Sequence, residues 1–288
     1  MLGIPSPSSA IPWLRWLRIS GHLLRGLAIV AFVYPQKSLA ARQALRQQWC
    51  RQLLRQLGVR LQASGQPLAT GQLLVANHIS WLDVLVINAY TNTAFVAKDE
   101  LLHWGPLGWL ARKNDTIFLP RHTPGHARAI NAQITAQLQA GHSVLVFPEG
   151  STSEGRNVLP FHAALLQPAI DAQLPIQALA LHYADALGRS STAPAYAGDT
   201  SLWQSLCTMV ATPYTLAQIG VCPALPTATA AKQGACNRRQ LARRAHALIA
   251  ARLQTQRGAA ASLSRIRVEK GAWCVSPHPQ YALPEAAL

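Results

Sequence analysis

The chain has 288 residues, 50% of them hydrophobic, and is long enough to bury a sizeable core. Its 26 Lys and Arg against 11 Asp and Glu give a net charge of +15, a balance suited to anionic lipid or nucleic acid. Five scattered cysteines, Cys50, Cys207, Cys222, Cys236 and Cys274, form no C-x-x-C pair, which argues against a disulfide framework and a zinc site and fits reduced cytosolic thiols.

The charge is unevenly spread. No acidic residue precedes Asp83, and another acid-free stretch, Thr200 to Val268, carries Arg238, Arg239, Arg243 and Arg244. At the amino terminus, Ile11 to Pro35 alternates aromatic and aliphatic residues with Arg15, Arg18 and Arg25, so that only Gly26 to Tyr34 is uninterrupted and uncharged. A bilayer span needs about 20 mostly apolar residues. The pattern therefore favours an interfacial or partly embedded helix with tryptophans and arginines at the headgroups, with a tilted span over Trp13 to Tyr34 as the alternative. The long charged part and the lack of a small-x-small site argue against a cleaved signal peptide.

A second helix is predicted over Leu39 to Leu57, where Leu45, Trp49 and Leu53 recur every four residues and Arg42, Arg46 and Arg51 lie elsewhere around the axis. Docking on lipid and packing on the rest of the protein both fit this pattern.

Leu73 to Asn77 reads as a short strand, followed by a turn and a helix that Ser80 can cap. Residues five apart on a regular helix lie about 140° apart around its axis, so His78 and Asp83 cannot meet mid-helix. They can meet if His78 sits in the turn and Asp83 in the first helical turn. A carboxylate on one imidazole nitrogen fixes the tautomer and leaves the other nitrogen free to take a proton from an alcohol. The competing reading is a capping box, S-x-x-D, completed by Asp83, with His78 an ordinary loop residue.

Further along, Ala94 to Ala97 is a short apolar run ending at Lys98, and Thr116 to Leu119 is a predicted strand that leads to Arg121, whose planar guanidinium suits phosphate oxygens. Ile130, Ile134 and Leu138 form a core-packing stripe on a helix that starts after Thr123 and Pro124 and ends at Gly141. Ser143 to Phe147 reads as a buried strand delivering Pro148, Glu149 and Gly150 at its carboxyl end, where open α/β sheets gather ligands. Ser190 to Thr200 reads as a loop, Thr215 to Val221 as a late strand and Asn237 to Arg257 as a basic helix. The predicted organisation is an amino-terminal basic, membrane-associated helical segment (1–60), a catalytic α/β domain (61–257) and a loosely ordered tail (258–288).

The string NHISWLD at Asn77 to Asp83 and the string FPEGSTSEG at Phe147 to Gly155 resemble the H-x-x-x-x-D and F-P-E-G blocks of the lysophosphatidic acid acyltransferase family of glycerolipid acyltransferases. IFLPR at Ile117 to Arg121 and LPIQALAL at Leu174 to Leu181 follow the family's order, and the resemblance covers roughly residues 70 to 185. It implies a central mixed sheet flanked by helices, with His78 as base and Asp83 as its orienting partner. It also implies acceptor binding by Arg121, Glu149, Gly150 and Ser151, with Pro175 marking the fourth block. Pro120 stands where the family carries a polar or acidic residue, and Ser151-Thr152 where Thr-Arg is common. Arg156 is a substitute for that arginine or a plain surface residue.

The implied reaction is transfer of a fatty acyl group from acyl-coenzyme A or acyl carrier protein to 1-acyl-sn-glycerol-3-phosphate at the cytoplasmic face of a bacterial inner membrane. A lyso-ornithine lipid acceptor is the nearest alternative, and a non-catalytic protein that binds an anionic phospholipid membrane is the alternative of a different class. No metal or cofactor is expected: Pro124 falls between His122 and His126, and neither a Walker A loop nor a dinucleotide fingerprint occurs. Nucleic acid is not an expected partner, since RNA-binding aromatics in a recognised arrangement are absent.

Overall fold

Both faces of the central strands are apolar, so the sheet must be covered on both sides. The computed structural model describes residues 12–66, 69–119, 126–227 and 237–270. The elements in chain order are α1 (Pro12–Ala28), α2 (Leu39–Gln56), β1 (Val59–Gly65), β2 (Leu73–Ala76), α3 (Leu82–Tyr90), β3 (Ala94–Lys98), α4 (Pro106–Lys113), β4 (Ile117–Leu119), α5 (His126–Gln139), β5 (Val144–Val146), α6 (Gln167–Asp171), β6 (Ile176–Ala184), α7 (Leu202–Ala211), β7 (Thr215–Val221) and α8 (Arg238–Lys270). The strands form one seven-stranded sheet in the order β1-β7-β6-β2-β5-β3-β4. Every neighbouring pair is parallel except β6 and β7, which makes the sheet mixed.

Alternate residues of the central strands serve opposite layers. Leu74, Leu145, Leu179, Leu181 and Tyr183 pack with residues of α1, α2, α3 and α7. Leu73, Val75, Val144, Val146 and Ala178 pack with α5, α6 and α8, including Ile130, Ile134 and Leu138 of the expected core stripe. This two-sided burial is why β2 reads as a continuous apolar run.

Helix α1 continues without a break through a π-helical turn, Ile29–Val33, and a 3-10 turn, Tyr34–Gln36. The resulting segment Trp13–Gln36 has 24 residues and is, by length and composition, long and apolar enough to cross a membrane; only 22% of its apolar window is buried within the protein. It extends beyond the uncharged run Gly26 to Tyr34 and takes in Arg15, which turns inward and donates to the carbonyl oxygens of Val210 and Thr212 at the end of α7. The outward face carries Trp13, Leu17, Leu24 and Phe32, all more than half exposed.

Helix α2 takes the second of its two expected roles and packs on the rest of the protein. Arg46, expected on the face away from the apolar stripe, is buried and donates to the carbonyls of Asn114 (3.1 Å) and Thr93 (3.4 Å). Arg51 and Gln47 donate to Ala89 and Tyr90 at the end of α3, where helical carbonyls lack partners of their own. Helix α8 corrects a second expectation: it runs on to Lys270 instead of stopping at Arg257, so the first part of the expected loose tail is helical.

Helices α1 and α2 touch at a glycine. A Cβ on Gly26 would stand 2.6 Å from Trp49 Nε1, and that indole cannot easily yield, because it donates to the His22 carbonyl (3.1 Å) and stacks on the His22 ring at 4.9 Å. At Gly21 a Cβ meets nothing within 4 Å. Gly26→Ala is therefore expected to destabilise by about 1–3 kcal/mol, and Gly21→Ala to be neutral or stabilising by roughly 0.5–1 kcal/mol, in thermal melts of the detergent-purified protein.

Candidate active site

β2 ends at Ala76, and the next residue extends its pairing with β6 through a side chain. The Asn77 amide donates to the Leu181 carbonyl (3.0 Å) and accepts from the Leu181 N–H (2.8 Å). The chain then turns off the sheet at His78, whose main chain is held by the loop after β5. The His78 N–H donates to Glu149 Oε1 (3.0 Å), and its carbonyl accepts from the Ser153 N–H (3.0 Å). Its ring lies flat on Phe147, with centroids 3.9 Å apart and planes 11° apart.

The His78 ring meets Asp83 as the spacing predicts, at 2.8 Å between Nδ1 and Oδ2. Asp83 is wholly buried, and the His78 side chain is 20% exposed. An ionised carboxylate only accepts, so the proton sits on Nδ1 and Nε2 is left as the proton acceptor.

The capping reading of Asp83 is also realised. Its Oδ2 accepts from the N–H groups of Ile79 (2.6 Å) and Ser80 (2.9 Å), donors just ahead of α3 that have no partner within the helix. Ser80 Oγ accepts from the Leu82 N–H (3.2 Å) and not from the Asp83 N–H, so the reciprocal half of the capping box is absent. One carboxylate thus caps the helix and orients the imidazole. Its other oxygen, Oδ1, accepts from the Tyr183 hydroxyl at 2.7 Å.

Glu149 lies at the carboxyl end of β5, beside β2, whose Val75 pairs with Val146. It is buried, and its second oxygen accepts from the Leu159 N–H (3.1 Å). The resemblance implies substrate contact for Glu149; in the structure its carboxylate faces two backbone donors and ties the loop to His78. Burial pushes its pKa from 4.5 to about 7, outweighing the lowering effect of those two hydrogen bonds.

Gly150 adopts φ +71°, a conformation that favours glycine, and Ser151 is exposed on the same loop. β4 brings the chain to this edge of the sheet at Leu119, but Arg121 lies outside the described residues. Pro175 is not brought to the site: it precedes Ile176, which pairs with Leu73 at the end of β2 away from His78. Arg156 is a surface residue, 75% exposed and paired with Glu154 at 2.8 Å. Lys98 is exposed at the carboxyl end of β3. Among the described residues no group of three or more His, Cys, Asp or Glu is arranged to hold a metal ion.

Sequence reasoning missed Tyr183, Phe147 and the double hydrogen bond of Asn77. Strand alternation could have found Tyr183, since it shares a face with Leu179 and Leu181, but its partner is 100 positions away.

The Glu149 carboxyl holds its proton in the folded protein up to about pH 7, whereas the unfolded chain releases it near 4.5. The stabilisation it brings is complete below the lower value and is lost as pH rises through the upper one. Over this range the wild type is expected to lose on the order of 2–3 kcal/mol attributable to this group. Glu149→Gln should flatten that part of the stability curve, measured by denaturant unfolding at a series of pH values; an unchanged slope contradicts the assignment.

The matching family model is Acyltransferase, over residues 60–182. The lyso-ornithine lipid O-acyltransferase of Pseudomonas aeruginosa is 34% identical over 176 residues, which are 59% of this chain and 68% of that protein. The 1-acyl-sn-glycerol-3-phosphate acyltransferase of Neisseria gonorrhoeae is 40% identical over 137 residues, 46% of this chain and 54% of that protein. The crystal structure of the 1-acyl-sn-glycerophosphate acyltransferase PlsC of Thermotoga maritima matches 92% of this chain and 100% of its own with a TM-score of 0.57; at 16% identity it bears on the fold alone. With a relative matched over two thirds of its length and a family segment that contains His78, Asp83 and Glu149, the chain belongs to the acyltransferase family and is an O-acyltransferase.

Proposed function

We propose that the enzyme transfers a fatty acyl group from an acyl thioester, on coenzyme A or acyl carrier protein, to the free hydroxyl of 1-acyl-sn-glycerol-3-phosphate, giving phosphatidic acid. The observation that carries the acyl-transfer chemistry is the buried Asp83 holding His78 at 2.8 Å with Nε2 left as proton acceptor. His78 Nε2 takes the hydroxyl proton while the alcohol oxygen attacks the thioester carbonyl. The tetrahedral adduct collapses, the carbon–sulfur bond breaks, and the imidazolium returns its proton to the leaving thiolate. An ester and a free thiol result, with no acyl-enzyme and no cofactor.

The 40% identity to the Neisseria gonorrhoeae enzyme, over 137 residues, supports lysophosphatidate as acceptor. In this reading Arg121 contacts the acceptor's phosphate, and Gly150 and Ser151 shape the loop beside it. A lyso-ornithine lipid is the second reading, favoured because the Pseudomonas aeruginosa relative so named is matched over 68% of its length.

The membrane is reached through Trp13–Gln36, whose outward Trp13, Leu17, Leu24 and Phe32 suit acyl chains, so that residues 1–60 anchor the catalytic domain at the cytoplasmic face of a bacterial inner membrane.

The test is purified full-length enzyme with labelled acyl thioesters and a panel of lysolipids, followed by product identification. Labelled phosphatidic acid is expected, with His78→Ala lowering turnover by roughly 10²–10⁴-fold while vesicle binding persists. Wild-type turnover in His78→Ala sinks the base assignment. A strict preference for lyso-ornithine lipid overturns the acceptor.

A further inference from the structure

We propose that Tyr183 is a positioning residue of the acyl-transfer reaction: its hydroxyl fixes the rotation of the Asp83 carboxylate and tempers the negative charge that Asp83 presents to His78. The proposal rests on reading His78 and Asp83 as base and orienting acid.

The geometry is closed on all sides. Tyr183 is 2% exposed and Asp83 0% exposed, so neither side chain can turn to water for a substitute partner. Asp83 Oδ2 already accepts from the Ile79 and Ser80 N–H groups and from His78 Nδ1, which leaves Oδ1 to Tyr183 at 2.7 Å. The phenol is held in place by β6, which is pinned to the strand before His78 by the two Asn77–Leu181 hydrogen bonds. Tyr183 thus stands two residues beyond Leu181, on the face of β6 that meets α3. Burial and the neighbouring carboxylate push Tyr183 ionisation well above 10.0, so the hydroxyl remains a donor at any working pH.

A donor on Oδ1 does two things. It stops the carboxylate rotating about its own bond, because rotation would leave one buried oxygen without a partner. It also draws charge away from Oδ2, so the carboxylate stabilises an imidazolium less strongly than a bare one would. Without the hydroxyl the imidazolium is held more tightly, and its return of a proton to the leaving thiolate becomes harder.

Tyr183→Phe keeps the ring and its packing and removes only the donor. In full-length enzyme with the best lysolipid acceptor, kcat is expected to fall roughly tenfold with little change in KM. The acid limb of the kcat/KM profile should move to higher pH, which lost packing alone would not do. In an Asp83→Asn background the same substitution should cost little more, because Tyr183 acts through Asp83. A wild-type rate and pH profile in Tyr183→Phe overturns the proposal while leaving the base assignment standing; wild-type activity in His78→Ala and Asp83→Asn overturns both. Should Tyr183→Phe not fold, wild-type sequence bearing 3-fluorotyrosine keeps every ring in place and makes the hydroxyl a stronger donor. Its acid limb is then expected at lower pH, and an unmoved limb overturns the proposal.

Discussion

A fully buried carboxylate with a donor on each of its oxygens is the interaction on which the site depends. Leaving an anion in a protein interior costs several kcal/mol unless donors surround it. Asp83 has four: two backbone N–H groups at the start of α3, an imidazole N–H and a phenol. No cationic side chain is among them, so the charge is balanced by dipoles whose positions are fixed by the helix and the sheet. The consequence is geometric as much as energetic. An acid held from four directions presents one oxygen to His78 in one orientation.

That arrangement explains why three strands must meet here. β2 brings His78, β5 brings Phe147 and Glu149, and β6 brings Tyr183, and the three are neighbours in the sheet. The parallel pairing of β2 with both neighbours sends all three chains out of the same edge. Glu149 then secures the main chain of His78 as Asp83 secures its ring, so two buried carboxylates position one imidazole through different atoms. Their surroundings differ: Asp83 has four donors, whereas Glu149 has two and burial pushes its carboxyl up to about 7.

Much of this was legible in the sequence where the information is local. The interval from His78 to Asp83 straddles a turn and a helix start, the placement in which helix geometry lets the two side chains meet. Strands ending at Ala76 and Val146, the stripe of Ile130, Ile134 and Leu138, and the late strand Thr215–Val221 follow from apolar pattern and punctuation. Contacts across the fold were not legible. Tyr183 reads as one aromatic in an apolar strand, and nothing near it names Asp83. Arg46 reads only as a charge away from the apolar stripe, and its burial was not legible, because periodicity identifies which residues share a face and not what covers that face. Pro175 belongs to a recognisable block and yet stands just before β6, at the end of the strand away from His78.

The charge of the chain takes on a different meaning in three dimensions. With 26 Lys and Arg and only 11 Asp and Glu, most cations lack an acid to pair with, and composition alone directs them all to an external anion. Several instead serve the fold by donating to carbonyl oxygens: Arg15 to the end of α7, Arg46 to Thr93 and Asn114, Arg51 to Ala89 at the end of α3, and Arg257 to Gly155 and Arg156 in the loop after β5. An arginine used this way offsets the partial negative charge of a helix or loop end and is held in place by several donors at once. The exposed group Arg238, Arg239, Arg243 and Arg244 sits on α8, in the layer opposite α1. The apolar outward face of α1 and this cationic group therefore lie on opposite sides of the sheet. The fold thus separates two features that composition reads together, an apolar helix face and a block of exposed arginines.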